Sequence, residues 1–365
     1  MMNDLWPNRT HAGWRHVPRQ LWQPFQAQPS QTVALPAGVS LPSSGDWVVI
    51  VDGHVVKKHG DVKTIKATQW SEPAWPLTET MWAWNEAECA TTIQINAADV
   101  TIIEYYTGQT KGINLKLDVV LQATGTVHHV VQSAENVSDV QALVQCQVHV
   151  PQQAQVAYYY TQNHHIKRLC YMPFYCEKNS AITTHTLACT LNFARDVYYY
   201  HMQSHVQQMH SHFSLAKDTN YHEQRVYLDH DGEQINAHHQ VRGIATDQAH
   251  SVHISQAIVR AGSIDCAVKQ KLDFRSMAQA KIVSQPDIRV AVDAVQASHG
   301  STVAPFDQSH LHYLRTRGLD LSVATGLMTH AFAGPLLKHW EGENCETRDQ
   351  LTALLADLTE VENAS

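Results

Sequence analysis

Ala98-Asp99-Val100-Thr101-Ile102-Ile103-Glu104-Tyr105 sets the pattern for most of the chain. A small turn dipeptide leads into a short run of β-branched and aromatic residues, the composition of a strand bounded by a turn. Val156-Ala157-Tyr158-Tyr159-Tyr160 and Ile288-Arg289-Val290-Ala291-Val292 repeat the theme. Glu135-Asn136, Asp231-Gly232, Ala261-Gly262 and Asp293-Ala294 supply further turns between such runs. From about Thr91 to Val303 there is almost no helix signal. That is too many short strands for one sandwich, which settles near ~100 residues. A barrel, two sandwiches or a β-solenoid remain. A solenoid stacks short strands rung by rung and needs no tight hairpins. Strong hairpin dipeptides are sparse after Gly53, which favours the solenoid.

On either side the character changes. Residues 1–46 are rich in Pro, Gln and Trp and read as a loosely ordered arm, because the prolines forbid longer regularity. Next, Trp47-Val48-Val49-Ile50-Val51 and His54-Val55-Val56 flank Asp52-Gly53, a strong hairpin signal. Residues 77–90 suit one short helix. Beyond Pro305 the periodicity turns helical. Asp307 can cap a helix over Gln308–Arg317 that stops at Gly318. Asp320 can cap a second, with Val323, Leu327 and Ala331 on one stripe, ending before Pro335. A third starts at the capping box Thr347-Arg348-Asp349-Gln350 and carries Leu351, Leu354, Leu355, Leu358 and Val361. These stripes suit either intramolecular core or a partner surface. The expected division is an N-terminal arm and small α/β region over 1–90, a β core over 91–303 and a C-terminal helical region over 304–365.

The chain has 365 residues, with 34 Asp+Glu against 26 Lys+Arg and a formal charge of −8. An acidic balance argues against nucleic-acid binding, which shows a basic patch or stripe. No apolar run is long enough for a membrane helix. The N-terminus lacks a basic start followed by an apolar block, so no ordinary secretory signal is expected. The seven cysteines include no C-x-x-C pair and read as reduced thiols of a cytoplasmic protein.

Enzyme signatures fail in turn. There is no Gly-Lys for a P-loop, no G-x-G-x-x-G and no G-x-S-x-G elbow. His222-Glu223 begins like a zinc-protease motif, but Val226 stands where the second His is needed. Histidine is unusually common: 25 in all, sixteen of them between His128 and His253. They read as solvated side chains on polar strand faces. His201, His205, His210 and His212 cluster, and a strand puts His210 and His212 on one face. Paired imidazoles suit Fe, Ni, Cu or Zn, but no third ligand is evident in the sequence.

The densest signal lies near the C-terminus. It runs Pro286-Asp287-Ile288-Arg289-Val290, then Ala297-Ser298-His299-Gly300-Ser301-Thr302-Val303, then Tyr313-Leu314-Arg315-Thr316-Arg317-Gly318-Leu319. In these residues the chain resembles the SufB/SufD family of iron–sulfur cluster assembly proteins, and its SufD branch in particular. Looser likeness extends to Leu272-Asp273-Phe274-Arg275-Ser276, Val49-Ile50-Val51-Asp52-Gly53 and Trp14-Arg15. The residue after the histidine is Gly300, as in SufD, where SufB-like chains usually carry Glu. The family commonly has Cys two positions before this histidine; here it is Ala297.

The resemblance implies a mainly β fold, a right-handed parallel β-helix core flanked by an N-terminal region and C-terminal helices. It implies a non-enzymatic scaffold that pairs with SufB through that core and docks the ATPase SufC on the helices. No cofactor is expected to be held stably by the chain alone. Iron or a nascent cluster would be shared with SufB, and ATP would sit on SufC. His299 is then the candidate iron or cluster ligand, since a neutral imidazole can stand beside thiolates in mixed sites. Tyr313, Leu314, Arg315, Arg317 and Phe332 are the candidate ATPase contacts, aromatic and Arg side chains being favoured anchors. Two other readings compete: a His-rich metal-binding protein of the same fold, and a β-helix carbohydrate-active enzyme. Scattered Asp and Glu disfavour the latter.

Overall fold

The computed structural model describes residues 34–338 except 38, 61, 68–91, 136 and 191. The helix expected over 77–90, the third C-terminal helix from Thr347, the Trp14-Arg15 pair, Cys89 and Cys345 lie outside the described residues.

Strands are numbered in chain order. The first five are β1 (Trp47–Val51), β2 (His54–His59), β3 (Lys63–Ala67), β4 (Thr92–Ala97) and β5 (Val100–Tyr106). Then come β6 (Gly112–Leu121), β7 (Gly125–Ser133), β8 (Gln141–Val150), β9 (Gln155–His164) and β10 (Lys167–Cys176). The next five are β11 (Ala181–Thr190), β12 (Phe193–Met202), β13 (Gln207–Ala216), β14 (Tyr221–His230) and β15 (Asn236–Ala245). The last are β16 (His250–Val259), β17 (Cys266–Ser276), β18 (Lys281–Val290) and β19 (Val295–Ala304).

From β4 onward, strands alternate between two sheets, and each pairs in parallel with the strand two places along. The result is a parallel β-helix of about seven turns. Like side chains stack rung on rung: Phe174 lies flat on Tyr200 at 4.7 Å, and Phe193 on Tyr221 at 5.1 Å. The turn dipeptides read from sequence fall between strands. Many corners turn on one residue of positive φ, several of them Asn or Asp, as at Asn179 (φ 60°), Asp218 (φ 58°) and Asp265 (φ 53°). Their short polar side chains tolerate that conformation best after glycine. The Asp52-Gly53 hairpin forms as expected, with φ positive at both residues (45° and 85°) and β2 antiparallel to β1.

The space between the sheets is mostly apolar at first, Glu104 and His129 apart. Ile95, Ile113, Leu115, Leu117, Val119, Val144 and Val148 are fully or almost fully buried there. Further along it turns polar, which overturns one expectation. Of the sixteen histidines read as solvated, nine are buried: His129, His164, His210, His212, His222, His230, His239 and His253 inside, and His185 on the outer face against Tyr159.

Two helices follow the last rung: α1 (Gln308–Thr316) and α2 (Leu321–Leu337). Asp307 and Asp320 cap them as expected, accepting from the Ser309 and Val323 amides at 2.8 Å. α2 does not stop before Pro335 but runs through it. A proline this near the end removes a single hydrogen bond, and burial of Leu336 against the β body holds the final turn. α2 packs its Ala333 and Leu336 side on Tyr159, Leu187, Phe213 and Ile244, the outer face of the larger sheet. The Val323, Leu327 and Ala331 stripe therefore faces solvent, with Val323 45% and Leu327 50% exposed.

Candidate functional site

The last rung is open. β19 pairs with β17 on one side, and eight of its ten residues are exposed. Its sequence VQASHGSTVA carries no Lys, Arg, Asp, Glu or Pro. Long uncharged edges invite another strand, and proteins usually block them with charge or proline. β18, the edge of the other sheet, is blocked in that way by Lys281, Pro286, Asp287 and Arg289.

His299 sits in the middle of β19, opposite Gln270. Strand alternation puts it on the face that continues the interior. Read across successive strands, its column is Tyr158, Thr184, His210, His239, Gln270, His299. The first five are buried, and His299 is exposed at the end. Ala297 lies on the same face two residues earlier and offers no thiol. Among the described residues no three His, Cys, Asp or Glu side chains stand gathered as a metal would gather them. The five described cysteines are buried. Burial pushes the Cys170 and Cys189 thiols up to about 12, so they remain protonated at neutral pH. His299 therefore needs donors from outside the described residues if it is to bind iron or a cluster.

The five helix residues part company. Tyr313 is 56% exposed, and the Arg317 guanidinium lies 5.0 Å from its ring centre. Arg315 and Arg317 are exposed and Leu314 is half-buried. Phe332 is held against the body: Arg242 and Arg275 lie 5.2 and 4.6 Å from its ring, and Arg242 Nη1 donates to its carbonyl at 2.5 Å. A groove of about 520 Å³ runs between α1 and α2, lined by Arg275, Phe306, Tyr313, Leu314, Leu327 and Phe332 among others.

Sequence reading missed the polar interior. Arg168 donates twice to the Glu104 carboxylate, at 3.1 Å each, and to the Tyr160 hydroxyl at 2.5 Å. The Tyr106 hydroxyl also donates to Glu104. Burial alone would raise the Glu104 carboxyl, but Arg168 and His129 together outweigh it and hold it far below the usual range. Burial favours neutral His129, which donates from Nε2 to Glu104 (3.1 Å) and accepts at Nδ1 from Tyr158 (2.9 Å). Arg168 also lies 3.5 Å from Asp196, which takes a 2.7 Å bond from Gln162. On the outer face of the smaller sheet another buried carboxylate, Glu223, is drawn down to about 2: burial opposes this, and Arg195 and Arg225 override it. The spacing of His210 and His212 was the one sequence clue to this interior.

Residues 104–332 match the profile of the family described as SUF system FeS cluster assembly, SufBD core domain. The chain belongs to the SufB/SufD family. Within it the chain is most like SufD. It is 35% identical over 57 residues to the iron–sulfur cluster assembly protein SufD of Escherichia coli, covering 16% of this chain and 14% of that one. It is 28% identical over 113 residues to SufD of Plasmodium berghei, covering 29% of this chain and 8% of that one. A SufBD family protein of Synechocystis is 30% identical over 95 residues, covering 26% of this chain and 21% of that one. The chain thus matches less than a quarter of the length of each of these relatives. Among the described residues of this SufD-like chain, no helix is long and apolar enough to cross a membrane.

Proposed function

We propose that this chain is the SufD-type subunit of an iron–sulfur cluster assembly complex, a scaffold without catalytic activity of its own that acts in the cytoplasm and pairs with SufB. One observation carries the reading: the last rung ends in an exposed, uncharged, unblocked ten-residue strand with His299 at its centre. Roughly half the backbone N–H and C=O groups of such a strand aim away from its neighbour and can pair with a strand of another chain. Pairing there would place His299 in the joint between subunits. Iron or a nascent cluster is the cargo, and because the five described thiols of this chain are buried, we assign its thiolate ligands to SufB. The exposed Tyr313, Arg315, Arg317 and Leu327, beside the groove between α1 and α2, suit the docking of SufC, while Phe332 fixes α2 beneath them.

Co-expression of the tagged chain with SufB and SufC, followed by native mass determination, tests this. A stoichiometric three-protein complex is expected. Recovery of the chain alone, as monomer or homodimer, would reject the pairing. In the complex, His299→Ala should lower iron or cluster content; unchanged content would remove His299 from the ligand set. Tyr313→Ala with Leu327→Asp should release SufC and keep SufB, and retained SufC would move its docking site elsewhere.

A further inference from the structure

His212 on β13 and His222 and His253 on β14 and β16 meet inside the β-helix, from opposite sheets. Their ring centres stand 5.5 Å (His212–His222), 5.6 Å (His212–His253) and 5.4 Å (His222–His253) apart. All three side chains are at most 1% exposed. We propose that His212, His222 and His253 form an interior binding site for one divalent transition-metal ion of the zinc, cobalt and nickel class.

Spacing is the first support. An imidazole nitrogen binds such an ion at about 2.1 Å, and the ring centre lies roughly 1.2 Å farther out. Three rings on one ion then have centres roughly 5.4 Å apart in a tetrahedral arrangement and roughly 5.7 Å in a trigonal one. The observed triangle falls on that range. As the rings stand, their donor atoms are not gathered, and binding requires the side chains to turn toward one another.

Hydrogen bonding is the second. Thr186 Oγ1 lies 2.6 Å from His212 Nδ1, and Ser251 Oγ lies 2.9 Å from His253 Nε2. The Asp196 carboxylate stands 3.8 Å from His222 Nε2. His212 and His253 thus each have a hydrogen-bond partner at one nitrogen, the arrangement that orients metal-bound histidines, while neither nitrogen of His222 has one. The opposite nitrogens, His212 Nε2, His222 Nδ1 and His253 Nδ1, are buried without a hydrogen-bond partner. An orphaned buried polar atom costs about 1–3 kcal/mol, and such atoms call for an explanation. One ion would satisfy three of them. Burial also holds His212 and His253 neutral at ordinary pH, the state that binds metal. Imidazole donors suit borderline ions, and three histidines leave a fourth position for water or another small ligand.

Access is short. Ser284, directly above His253 on β18, is half-buried in the open last rung. The site stands apart from the reading of His299, which lies exposed on β19.

The test uses the full chain, stripped with chelator and titrated with cobalt chloride. One tightly bound Co2+ per chain is expected, with the intense visible bands of a four-coordinate ion. Losing even a ligand's hydrogen-bond partner costs about 10–100-fold in metal affinity. His222→Leu and His253→Leu should therefore each weaken binding by at least about 100-fold and abolish the bands. His238→Ala and His299→Ala should leave both intact. X-ray absorption on the zinc-loaded parent should count three imidazoles, which keeps the question decidable should a leucine variant unfold. Absence of tight binding in the parent, parental affinity in His222→Leu, loss with His299→Ala, or fewer than three imidazoles would each overturn the site.

Discussion

The early and late coils of the β-helix share one backbone plan and differ in filling. A single interior column shows it: Leu115, Val144, Cys170, then Asp196, Gln224, His253, Ser284. The ladder stays in parallel register throughout, while the side chains pass from hydrocarbon to carboxylate, amide, imidazole and hydroxyl. A β-helix core thus does not have to be greasy, because its strands are held by backbone bonds to both neighbours. The early coils derive stability from burial, at about 25 cal/mol per Å² of apolar area. The late coils must satisfy each polar group they enclose and do so incompletely.

Acid should separate the two halves most strongly. Burial pushes His164 and His239 down to about 3, and His210, His212 and His253 well below their ordinary 6.5. They are neutral when folded, whereas the unfolded chain takes up protons below about 6.5. Stability is therefore full above that pH and falls as pH drops from 6.5 toward the folded values, by about 1.4 kcal/mol per pH unit for each histidine. Hydrogen exchange at pH 5 should show β13–β17 opening before β4, β6 and β8, which hold no buried histidine, and uniform opening would erase the contrast. Next in size is Arg168→Met, which strands buried Glu104 and should cost about 3–5 kcal/mol in urea unfolding; adding Glu104→Leu should restore most of that. Smaller again is a matched pair of core changes. Leu117→Ala in the early coils should cost about 2–5 kcal/mol. His222→Leu in the late coils should cost less than about 1.5 kcal/mol without metal, because it removes orphaned atoms as well as packing. Equal costs by thermal melting would mean the two fillings contribute alike. The smallest change in stability, within about 0.5 kcal/mol, is expected from Ser298→Lys with Thr302→Lys on β19, and native mass spectrometry should show SufB lost all the same.

The fold was legible where local chemistry dictates it. Asp52-Gly53 announces its hairpin, the β-branched runs their strands, and Asp307 and Asp320 their helix starts. Filling was not legible, because alternation separates two faces without saying which is inside. β13 is the clear instance. Its apolar side chains Phe213 and Leu215 point out beneath α2, while His210, His212 and Ser214 point in. A reader of the sequence assigns those faces the other way round, since apolar residues normally mark the core. His212 and His222 are ten positions apart in sequence and on opposite sheets, so only the register of the coils brings them together. The exposed stripe on α2 was hidden similarly: Val323, Leu327 and Ala331 are apolar at helical spacing, and the neighbouring Ala333 and Leu336 side won the contact with the body.

Viewed as a polymer, a stack of parallel rungs has two growing ends, and here they differ. At one, β2 and β3 run antiparallel to β1 and β4, so no further parallel rung can follow in the same sense. β2 also sets the exposed Lys57-proximal pair, Lys58 and His59, along that margin. At the other, β18 and β19 stop with the repeat unfinished. If the proposed pairing through this rung holds, the molecule has a valence of one: it joins a single neighbour and is then spent, where an uncapped repeat would run on into a fibre.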